Sequence, residues 1–261
     1  MQLSPPSAIA WMERLLALSL TLQTIELLHA RDALRDDATF RWATLRRDFD
    51  GVPTLRRALL DPWLAYRPFC ALLVVQLGAA LLLPWSRSPA LALVLVATTL
   101  LGCLRFRGAF QGGSDAMTMV VLVGVVAARL GSAHPWVAQA SLGYVAAQLV
   151  LSYFVAGIAK LRDPSWRQGH ALARLAQLPQ YAVPAGLARV LMLPWVGRLG
   201  AFAVLTLECA FPLALVSRAT CIALLALALL FHLANVALLG LNRFLWAWLA
   251  AYPALLYWSD G

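Results

Sequence analysis

Apolar residues gather into eight runs, at about 8–29, 62–84, 88–104, 115–131, 137–160, 198–216, 219–240 and 242–258. Runs of this length without strand-like alternation predict helices that satisfy their own backbone hydrogen bonds, as lipid requires. Pro62, Pro84, Pro135, Pro164 and Pro194 fall at or near the predicted ends, where a residue lacking an N–H is least costly. Two hydrophilic connections stand out. The first, 30–61, mixes arginine and aspartate with Phe40, Trp42 and Leu59, which suggests short amphipathic helices at the membrane interface. The second, 161–197, is too polar to span and too apolar for a free linker, so it is expected to fold back over the helices. The pattern predicts an all-α, polytopic transmembrane bundle of about eight helices, with interfacial helices in two larger loops and a single domain over 1–261. No internal repeat is evident.

Composition supports lipid as the solvent. The chain is 62% hydrophobic and 13% charged, where a soluble domain carries about 25% charged residues. Its net charge of +9 rests on arginine at every basic position but one, Lys160. A basic excess on so apolar a chain anchors loops to anionic headgroups. Its spread over several loops argues against nucleic acid. No basic residue precedes the first run, which contains Glu13, Arg14 and Glu26, so a retained helix is expected there in place of a signal peptide. Cys70, Cys103, Cys209 and Cys221 form no C-x-x-C pair and read as small buried hydrophobes. With eight spans, the loops 30–61, 105–114, 160–198 and 241–244 share one side. That side carries every basic residue except Arg14, Arg87, Arg129 and Arg218, which the positive-inside rule makes cytoplasmic.

An ionisable residue within a span costs about 2.5–3.5 kcal/mol on insertion scales. Five such residues are candidates for chemistry: Glu26, Asp115, Lys160, Glu208 and His232. Lys160 shares a helix face with Tyr153 and Gly157 at i, i+4, i+7 spacing. It is either a snorkelling amine at the membrane edge or a base that can lose its proton, which arginine cannot easily do. Glu208 precedes Pro212 by one turn and either locks two helices through an arginine or serves a site. His232 and Asn235, at i, i+3, are either an interhelical hydrogen bond or cavity lining. Asp115, after Gly112, Gly113 and Ser114, reads as a helix N-terminus with Ser114 or Asp115 as the cap. Glu26 is expected to pair with an arginine of the loop that follows. No metal cluster, haem histidine pair, P-loop or G-x-S-x-G is present.

The segment 153-YFVAGIAKLRDPSW-166, with Gly169 beyond it, resembles the signature of the HTTM (horizontally transferred transmembrane) family, related to the membrane part of vitamin K-dependent gamma-glutamyl carboxylase. A weaker match is 231-FHLANVALLGLNRFLWAWLA-250. The resemblance implies a quinone or hydroquinone cofactor of vitamin K type, with Lys160 as the base. It further implies that Tyr153, Gly157 and Trp166 shape the quinone pocket and that His232 and Asn235 line it. It also implies a bacterial inner membrane location with the motif on the periplasmic side, opposite to the loop-charge reading. The function expected is a quinone-linked enzyme, carboxylase-like or oxidoreductase, modifying a peptide or small substrate. The alternative is a non-enzymatic partner in maturation, export or immunity for a secreted peptide, working with other membrane or peptide-maturation proteins. A transporter ranks last, because no inverted repeat is visible.

Overall fold

The computed structural model describes residues 3–106, 112–181 and 183–259. Part of the predicted 105–114 connection, residues 107–111, lies outside them. Among the described residues there are helices and no strands. Eight helices of 17 residues or more follow one another: α1 (Pro5–His29), α2 (Tyr66–Leu82), α3 (Pro89–Arg105), α4 (Gly112–Leu130), α5 (Pro135–Arg162), α6 (Pro194–Ala210), α7 (Arg218–Leu239) and α8 (Asn242–Trp258). Among the described residues, four segments are long and apolar enough to cross a membrane: Gly113–Leu130, Pro135–Arg162, Pro194–Leu215 and Arg218–Leu239. A fifth is reached if Arg57–Leu64 and Tyr66–Leu82, bent by 75°, count as one span. Of the eight expected spans, four or five thus meet this length and apolarity among the described residues. α2, α3 and α8 have 17 residues each, at the lower end of the roughly 17–25 residues of a crossing. The polar positions Glu13, Arg14, Gln23 and Glu26 dilute the apolarity of α1.

Of the predicted boundary prolines, Pro135, Pro164 and Pro194 each open a helix, and other helix ends have local causes of their own. Ser88 caps α3, accepting from the Ala90 N–H, with Pro89 opening the helix. Ser217 and Thr220 form a reciprocal capping box at the start of α7. Pro212 cannot donate to the Glu208 carbonyl, so α6 ends at Ala210. The chain continues as a tighter turn, Phe211–Leu215, and the Phe211 N–H takes up that carbonyl.

The chain divides into two compact units, 9–141 and 142–261 with the first eight residues. In the first, polar contacts at two levels set α1 antiparallel to α4. Arg129 Nε donates to Glu13 at 2.7 Å, and Gln23 Nε2 donates to Asp115 at 3.3 Å. Gln76 Nε2 donates to Thr24 at 3.1 Å, tying α2 to α1. The other Arg129 nitrogens bond the Ser88 and Leu83 carbonyls at 2.8 and 2.7 Å, so the guanidinium is satisfied on every side that matters in a dry setting. Asp115 lies in the first turn of α4, and Glu26 is exposed near the end of α1.

The 30–64 connection is a string of short helices with a core of its own. Leu34, Trp42, Phe49, Leu60 and Leu64 pack on Phe69, Leu73 and Phe106, and Trp42 Nε1 donates to Asp61 at 2.6 Å. Arg105, 1% exposed, reaches beneath this string. It donates to the Leu34 and Phe40 carbonyls at 3.2 and 3.3 Å while its guanidinium sits 4.6 Å from the Phe69 ring centroid, a stacking only the flat arginine head allows.

Arg129→Met removes the cation from Glu13 and the donors from two carbonyls. Breaking a buried pair from one side costs about 3–5 kcal/mol, so thermal unfolding in detergent is expected at a clearly lower temperature. Glu13→Gln added to it is expected to recover part of the loss. A single variant that melts with the wild type would remove this clamp.

Candidate functional site

The second unit contains a cavity of about 1160 Å³. Apolar and aromatic side chains dominate its lining, among them Trp195, Phe202, Leu227, Phe231, Phe244 and Trp248. Lys160, Glu208, Tyr153, His232, Asn235 and Trp166 also line it. Residues on α5, α6 and α7 are thus brought to one hollow, as a ligand site in an apolar protein requires: much greasy surface and few polar groups.

Lys160 is not bare. Its Nζ donates to both carboxylate oxygens of Glu208 at 2.8 Å. The Glu208 side chain is 4% exposed and that of Lys160 is 24% exposed. An arginine partner for Glu208 was the structural expectation; the structure puts the only lysine there. The pairing depends on the close approach of α5 and α6. A Cβ on Gly157 would stand 2.9 Å from the Cys209 backbone nitrogen and sulfur and 2.9 Å from Glu208 Cβ. Gly157 is therefore a helix–helix contact that sets Glu208 opposite Lys160, and it is not among the lining residues.

The residues after Lys160 explain their own spacing. α5 ends at Arg162. Asp163 then caps the next short helix, Pro164–Arg167, accepting from the Ser165 N–H at 2.8 Å. The Ser165 backbone N–H and then its hydroxyl, followed by Arg174 and Arg167, hold the Asp163 carboxyl below its usual range. This turn swings Trp166 back so that its ring lies 5.4 Å from the Lys160 ammonium. Gly169 closes the turn at φ +77°, with Arg198 backbone and side-chain atoms where a Cβ would go. The 161–197 segment does fold back: Trp166, Leu172, Leu175, Tyr181, Leu191 and Trp195 form one wall of the cavity.

A second polar group lies two turns earlier on α5. The Tyr153 hydroxyl is 2.6 Å from His232 Nε2 and 3.4 Å from the Tyr252 hydroxyl. Its ring stacks on Phe211 at 3.9 Å between centroids, and Trp248 lies 5.4 Å from the His232 ring. His232 Nδ1 is buried without a partner. An orphan acceptor is tolerated more readily than an orphan N–H, which favours the tautomer that donates from Nε2 to Tyr153. Sequence reasoning missed Tyr252, Trp248 and Phe211. Each sits in an apolar run where an aromatic is ordinary, and only the fold places it beside Tyr153. Asp115 and Glu26 belong to the other unit and have no part in this site.

Gly157→Ala forces α6 away from α5 by a few tenths of an ångström or more. Overpacking of this kind costs about 1–3 kcal/mol, and the expected result is a lower unfolding temperature in detergent. A variant as stable as the wild type would show that the helices are not held this close.

No curated protein and no solved structure matches the chain. The HTTM domain model matches residues 116–259, more than half of the chain and the whole of the stretch that carries Lys160, Glu208, Tyr153 and His232. With its long apolar helices and that match, the molecule is an integral membrane protein, and the chain belongs to the HTTM family.

Proposed function

We propose that the cavity takes a quinol-type ring from the bilayer and that Lys160, with Glu208, receives its proton. The observation that carries this reading is an ion pair on the wall of a large apolar cavity with a second polar group on the same helix. The volume stands above the roughly 300–1,000 Å³ of ordinary ligand sites, which leaves room for an apolar tail beside a ring. Trp248, Phe244 and Phe231 line the cavity and offer aromatic surface to that ring, and Tyr153 offers a hydroxyl to one of its oxygens.

A bound quinol would supply a hydroxyl proton and, on oxidation, two electrons. The protein's part is to hold the proton. In the ion-paired form the free acceptor is the Glu208 carboxylate; in the neutral form it is the Lys160 amine. Trp166 beside the ammonium keeps water from its flank. Carboxylase-like modification of a peptide or small substrate, in a bacterial inner membrane, is the activity this arrangement would serve.

A second reading is a non-enzymatic membrane partner for a secreted peptide. What favours it is that both Glu208 oxygens already have a donor, as in a pair whose role is to lock α5 to α6.

The test is quinone binding and quinol turnover by the purified protein. Quenching of tryptophan fluorescence by a menaquinone analogue is expected in the wild type, since Trp166, Trp195 and Trp248 line the cavity. Lys160→Ala and Glu208→Gln are each expected to reduce turnover by about a hundredfold or more, the scale of a lost general base, with binding weakened less. Quenching with unchanged turnover in both variants would remove the base assignment. No quenching at all would remove the quinone.

A further inference from the structure

The wall between α5 and α6 has an outer side that the cavity chemistry does not use. From 162 to 198 the chain carries five arginines, Arg162, Arg167, Arg174, Arg189 and Arg198, all exposed. The same stretch has one carboxylate, Asp163, and the Ser165 N–H already occupies one of its oxygens. Among the described residues no ion pair joins any of the five to a carboxylate. Four of them lie in the last turn of their helices, where a cation complements the helix dipole. That accounts for their positions along each helix; the one carboxylate, which feels Arg174 and Arg167, cannot neutralise five guanidinium groups.

Among the arginines the same segment exposes large apolar residues that do not line the cavity: Leu178, Met192 and Leu193. A loop surrounded by water gains nothing from that exposure. A segment lying at the headgroup level does, because the apolar side chains enter the acyl boundary while the arginines meet phosphates. Both ends of the segment continue into helices long and apolar enough to cross a membrane, Pro135–Arg162 and Pro194–Leu215, so the segment starts and finishes at a membrane surface. Arginine at all five positions matters as well, since the planar head meets two oxygens of one phosphate at once.

We propose that this arginine-rich cap binds the phosphate headgroups of anionic phospholipids, which hold it in place as the wall of the cavity. The binding surface is distinct from the cavity and does not depend on what the cavity takes. Because Trp166, Leu172, Leu175, Tyr181, Leu191 and Trp195 face the hollow from the same segment, headgroup binding outside and ligand binding inside strengthen each other by linkage.

The experiment is hydrogen–deuterium exchange of the full chain in nanodiscs of phosphatidylcholine alone or with phosphatidylglycerol. Each basic residue near an anionic surface contributes about 1 kcal/mol, so amides of residues 164–193 are expected to exchange at least about fivefold more slowly with phosphatidylglycerol. Amides of α7 serve as the control and are expected to be unchanged. The difference is expected to vanish in the variant R162Q/R167Q/R174Q/R189Q/R198Q and to shrink at high salt in the wild type. Should the variant lose α7 protection and so fail to fold, the wild-type lipid and salt comparison decides. Equal exchange in the two lipids overturns the proposal, as does a difference that survives in a folded variant. Protection by added polyglutamate in phosphatidylcholine, with none from phosphatidylglycerol, overturns it in favour of an acidic peptide partner.

Discussion

A single ammonium and a single carboxylate, placed where water is scarce, govern the second unit. Either alone would cost several kcal/mol in an apolar setting. Together at 2.8 Å on both oxygens they are tolerable only if the helices that carry them stay close. That condition explains the neighbours. Gly157 has no side chain because Cys209 and Glu208 occupy its space. Pro212 ends α6 one turn after Glu208. Asp163 and Pro164 turn the chain so that an indole face covers the ammonium. A pair that is both strained for solvent and adjacent to a large hollow can serve chemistry as well as structure, and the proposed function rests on that double use.

The first unit solves the same problem by giving its charges several protein partners each. Arg129 spends its donors on Glu13 and two carbonyls. Arg105 is set against aromatic rings and the backbone of the 30–64 connection. These arginines are held on several sides by protein, whereas those of the 162–198 cap face outward. The contrast separates clamps from a surface that needs an external anion.

Much of this was legible in the sequence, because helix formation in lipid is dictated by continuous apolarity and by proline, serine and aspartate at the ends. Pro135, Pro164 and Pro194, read as boundaries, each open a helix, whereas the caps Ser88, Asp163 and Ser217 were not singled out. Lys160 stood out as the only lysine. What sequence could not supply were pairings between distant elements. The partner of Glu208 was expected to be an arginine, since twenty were on offer, and spacing along α5 and α6 cannot tell which cation the close approach selects. Gly157 reads as pocket lining or as helix contact with equal ease until α6 is placed. Tyr252 and Trp248 are hidden by their apolar surroundings. The expected apolar runs all form helices, of which four, or five with the bent pair, are long and apolar enough to cross among the described residues; an apolar run of 17 residues does not by itself show a crossing.

The most direct measurement of the central claim is a double-mutant cycle on the pair, with Lys160→Met, Glu208→Gln and both together, followed by thermal unfolding in nanodiscs. Contacting residues of this kind couple by about 0.5–3 kcal/mol, and a buried ion pair belongs at the upper end. The account predicts that the double variant is more stable than the sum of the single losses allows, by about 2 kcal/mol or more. Additive losses would mean that the amine and the carboxylate do not meet, and the site built around them would be contradicted.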